Sequence, residues 1–131
     1  MKKIACLLAV AFVLNASLQA QEKFSWKEMG DFHTVMSETF HPSEEGKLGP
    51  IKSRSQEMVD KAIAWQKSTV PEGYDKSAVK KSLKKLVDGT RELNKLIKAK
   101  AADDIITKKL SSLHDIFHQV MEKGEKEEHH M

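Results

Sequence analysis

Six histidines occur among 131 residues, and three of them stand at spacings suited to gripping one metal ion. His114 and His118 are four residues apart, which puts two imidazoles on the same side of a helix. His33 lies on the apolar stripe of an earlier segment with helical period. Neutral imidazole is the commonest protein ligand for transition metals, and three of them around a divalent ion leave an open position for water, substrate or a fourth protein group. Met29, Met36 and Asp115 are the candidate fourth ligands. A methionine favours copper, particularly Cu(I), whereas a carboxylate or water suits zinc. The alternative is structural: His33 is a core-edge histidine bonded to a neighbour, and His114 and His118 are ordinary residues of a half-exposed face.

The remaining histidines read differently. His41 follows His33 by eight residues, about 12 Å along a helix axis, which is too far for the same single-ion site. Its expected role is to face the negative C-terminal end of its helix. His129 and His130 belong to a charged tail, 125–131, whose composition reads as disordered. Met29, Met36, Met58 and Met121 occupy stripe positions, where methionine usually fills core space. Trp26 and Trp65 read as aromatic caps on that core. Ser111 and Ser112 are near His114 in sequence, but adjacent helical residues point apart, so they form no nucleophile and base pair. No phosphate-binding glycine loop occurs, and enzymatic activity is not expected.

Four segments with helical period must position these groups, and none alternates like a strand. The first, roughly Ser25 to Phe40, carries Met29, Phe32, His33, Met36 and Phe40, and is expected to stop before Pro42. The second runs from Pro50 to about Thr69, with Ile51, Met58, Val59, Ala62 and Trp65 inward. The third, roughly Lys76 to Ala99, turns Val79, Leu83, Leu86, Thr90, Leu93 and Ile97 inward and a lysine-rich face outward. Asp103 is expected to cap the fourth, whose inward residues are Ile106, Leu110, Leu113, Phe117, Val120 and Met121, and Gly124 to end it. Short connections make this an all-α, antiparallel up-down-up-down four-helix bundle. Its first and last helices then lie side by side, with His33 near the height of residues 114 to 118.

The first twenty residues place the protein. Lys2 and Lys3, the apolar run Ile4 to Leu14 and the small-residue stretch to Ala20 form a secretory signal peptide, cleaved after Ala20. Residues 21–124 then form the bundle, in the periplasm or secreted. Cys6 lies too near the start of the apolar run for a lipoprotein, and as the only cysteine it leaves with the signal. The formal charge of +3 falls to about +1 without the two signal lysines. Neither nucleic acid nor membrane insertion is implied, and the lysine-rich third helix opposes dimerisation through that face.

A family resemblance joins these features. The signal peptide, the simple bundle, the methionine of the first helix and the segment Ile116-Phe117-His118-Gln119 resemble the soluble periplasmic cytochromes of the cytochrome b-562 class. The stretch Ala64-Trp65-Gln66-Lys67-Ser68-Thr69-Val70-Pro71 is similar to the end of their second helix. The resemblance implies b-type haem held by Met29 and His118, with electron transfer to a redox protein. Three expectations follow: a transition-metal ion, zinc or copper, on His33, His114 and His118 for metal handling or redox work; b-type haem on Met29 and His118; or a metal-free interaction bundle at the envelope.

Overall fold

A computed structural model of the chain describes residues 26–124. The expected signal peptide, 1–20, and the expected tail, 125–131, lie outside the described residues. Within them the chain forms four α-helices and no β-strand: α1 (Lys27–Glu44), α2 (Gly49–Lys67), α3 (Lys76–Lys98) and α4 (Asp103–Gly124). Each helix packs on the next, and α1 meets α4 along the least extensive seam. The cross-helix contacts run in opposite order along neighbouring helices. Trp26 at the start of α1 donates its indole N–H to Ser68 at the end of α2, 2.9 Å away, whereas Glu38 near the end of α1 accepts from Arg54 near the start of α2 at 2.8 Å. Ser55 of α2 reaches Asn94 of α3, and Lys109 of α4 reaches Glu92 of α3. On the fourth seam, Phe32 meets Phe117 and Phe40 meets His114.

The stripes read from sequence form the core. Phe32, Ile51, Met58, Trp65, Leu86, Leu93, Leu110, Leu113 and Val120 are fully buried, and Phe40, Ile97 and Met121 pack against the edge. Among the described residues no helix is long and apolar enough to cross a membrane. The interior also takes polar groups that periodicity does not flag. Ser55 donates its hydroxyl to Asn94, 2.7 Å away, and the Asn94 amide donates to Gln56, so both buried side chains are satisfied.

Two helix ends differ from expectation. Pro42 lies inside α1, which continues to Glu44. The proline falls in the last turn, where its missing N–H costs one bond to Glu38, and the stop comes instead from Gly46 at φ +80°. There the Gly46 N–H donates to the Ser43 carbonyl and the Lys47 N–H to the Pro42 carbonyl, the paired bonds of a Schellman ending. Asp103 is the first residue of α4 rather than its cap, because the Ala102 carbonyl takes the first helical bonds. Its carboxylate instead accepts from Lys52 at 2.8 Å, tying the start of α4 to the start of α2.

Candidate functional site

The α1–α4 seam opens into a groove of about 270 Å³, and four histidines line it: His33 and His41 from α1, His114 and His118 from α4. Met36 and Met121 line it too, with Ser37, Phe40 and Phe117 completing the wall. The i, i+4 spacing of α4 turns two imidazoles into this opening, and their Nε2 atoms stand 3.3 Å apart with the rings nearly perpendicular at 77°. Phe40 holds one of them in place. Its ring stacks flat on His114, centroids 4.0 Å apart and planes within 8°.

Antiparallel pairing sets the order along the groove. His33 packs against Phe117, ring centroids 5.7 Å apart, and Phe117 in turn lies 5.8 Å from His118. His41 sits toward the other end, beside Phe40, with its Nδ1 3.4 Å from a Glu44 carboxylate oxygen. The three histidines singled out from sequence thus share one groove. His114 and His118 are in contact, whereas among the described residues no three histidine, cysteine, aspartate or glutamate side chains are grouped closely enough to hold one ion as they stand.

Burial, chiefly, pushes the His114 pKa below its ordinary value, and the neighbouring His118 lowers it further. Asp115 and Glu44 oppose the shift, and His41 adds a weaker lowering. The neutral imidazole is the form that ligates metal, so the environment keeps His114 ready to coordinate at neutral pH.

His41 is the groove residue that sequence reasoning set aside. It also occupies the last turn of α1, where it was expected. No signal in the sequence marks its place in the groove: if His33 lies level with residue 117, antiparallel helices bring residues 40 and 41 level with residues 110 and 109, about one turn away from His114. Of the candidate fourth ligands, Met36 lines the groove, whereas Met29 is buried in the core and Asp115 is exposed outside the groove lining.

The same geometry bears on haem. Met29 and His118 share no lining of the groove, and the rings of Phe32, Trp65 and Phe117 pack 5.5 to 5.7 Å from one another in the interior. A porphyrin between Met29 and His118 would have to displace that aromatic cluster, so these residues do not fit the group. No protein-family model, curated protein or solved structure matches the chain.

Proposed function

We propose that this protein binds a transition-metal ion, zinc or copper, through His114 and His118, with His33 of the facing helix as the third ligand. The observation that carries the reading is the 3.3 Å between the two Nε2 atoms. Metal–nitrogen bonds of about 2.0 to 2.1 Å meeting at the tetrahedral angle separate their nitrogens by about 3.3 to 3.4 Å. The pair is therefore set at the bite of one tetrahedral ion. With no ion bound, one ring donates its N–H to the other's lone pair; the ion takes the place of that shared proton, and the donor ring moves its hydrogen to Nδ1.

His33 completes the set by rotating its side chain along the Phe117 ring that already connects it to His118. The protein acts in the periplasm or outside the cell, which the signal-like first twenty residues support, in metal handling or redox exchange with a partner protein. The groove supports this reading over haem, because its histidines gather where Met29 is absent.

Metal quantification on the purified protein beside His33→Ala and His114→Ala tests the proposal. About one zinc or copper per wild-type chain is expected, with His114→Ala losing it and His33→Ala holding it more weakly. Equal metal content in all three proteins would remove the site.

A further inference from the structure

The groove holds a second regularity, and it is built from sulfur. His33-Thr34-Val35-Met36 on α1 and His118-Gln119-Val120-Met121 on α4 repeat one pattern, His-x-Val-Met, on the two helices of the seam. In each copy the valine is buried in the core, while the histidine and the methionine three residues later line the groove. Because the helices are antiparallel, the two copies face each other in opposite directions, so the groove receives an imidazole and a thioether from each wall. Among the described residues, no carboxylate lines it.

We infer that the ion taken by this groove is Cu(I), held by the His114 and His118 imidazoles and, from the opposite wall, that of His33, together with the thioether of Met121. The inference rests on the proposed metal-binding role of the histidine pair and names its cargo. Thioether sulfur is a soft, uncharged ligand that selects Cu(I), whereas zinc favours imidazole, thiolate and carboxylate, and harder cations need oxygen. His118 and Met121, at i and i+3, present nitrogen and sulfur within one turn of α4. Met36 is almost wholly buried at 1% exposure, while Met121 is half-buried at the groove edge, so Met121 is the first sulfur an incoming ion meets. Apolar walls of Phe40 and Phe117 restrict water around the ion, which favours the lower charge of the cuprous state.

Anaerobic titration of the full chain with Cu(I), using bicinchoninate as competing chelator, and parallel titration with Zn(II) test this. The expected result is Cu(I) binding at least about a hundredfold tighter than Zn(II), with Met121→Leu weakening Cu(I) about tenfold and leaving Zn(II) unchanged. X-ray absorption of the copper complex should show sulfur at about 2.3 Å, diminished in Met121→Leu. Since Met36 belongs to the core, the sulfur test rests on the more exposed Met121→Leu, which keeps it independent of folding. Unchanged Cu(I) affinity in Met121→Leu, or a copper shell of nitrogen and oxygen alone, would overturn the cuprous assignment; ion binding that His118→Ala still abolishes would then leave the histidine pair standing. Absence of any Cu(I) or Zn(II) binding would overturn both.

Discussion

His114 owes its character to two neighbours of different kinds. Phe40 fixes its plane by stacking, and His118 meets its Nε2 atom. Its pKa is held below the ordinary 6.5 first by burial and then by His118. In His118→Ala the His114 midpoint should therefore rise toward 6.5 without reaching it, because burial remains; imidazole NMR shifts followed against pH would reveal an unmoved midpoint if His118 were without effect. The linked stability has a definite sign. A histidine that is harder to protonate when folded leaves the unfolded chain holding more protons, so its contribution is full above 6.5 and declines as pH falls through that value toward the lower folded one. Chemical denaturation at pH 8 and pH 5 should show the loss, and His114→Gln should lessen it. At this scale the sequence made the i, i+4 pair legible. It did not show the stack on Phe40 or the participation of His41, since both depend on the vertical register of two helices distant in the chain.

Helix ends and close approaches belong to the next scale. Gly89 lies in the middle of α3, where glycine is less favourable than alanine by about 1 kcal/mol. A methyl group there would collide with the side chain of Leu113, which is fully buried on α4. Overpacking of a closed core costs roughly 1 to 3 kcal/mol, so Gly89→Ala should destabilise by about 1 kcal/mol net. A melting temperature raised by that substitution would show that α3 and α4 pack less closely than this. Lys100 is the opposite case. It takes φ +56° at the end of α3, where its N–H donates to the Ile97 carbonyl and that of Ala101 to the Leu96 carbonyl. This ending favours glycine, and Lys100→Gly should stabilise by about 0.5 to 1 kcal/mol, read from the urea midpoint. The helical stripes were legible because each buries one face. The end of α1 was not, because a proline in a last turn forfeits a single hydrogen bond, and the glycine four residues later sets the stop.

For the whole molecule, the bundle sets a packed interior beside a looser seam. The aromatic cluster of Trp26, Phe32, Trp65 and Phe117 packs the core toward the end of the bundle where α1 starts and α2 finishes, while the α1–α4 seam is the least extensive and carries the groove. An ion that joins α1 to α4 would bridge that seam and stabilise the folded state by mass action, by about 2.7 kcal/mol at a hundredfold excess over its dissociation constant. For a domain of about 100 residues this raises the melting temperature by roughly 10 °C or more. The rise should be absent in His114→Ala/His118→Ala. That four helices would close into a bundle was readable from stripe and loop lengths; which side of each stripe would face the seam was not, because bundle handedness leaves no mark in periodicity.

Calorimetric titration of the full chain with Zn(II) and with Cu(I), beside His118→Ala, addresses the pair of imidazoles most directly, because His118 is exposed and its loss leaves the core intact. Saturation near one ion per wild-type chain and an affinity at least about tenfold lower in His118→Ala is the predicted result. Indistinguishable isotherms for the two proteins, or no binding of either ion by the wild type, would contradict it.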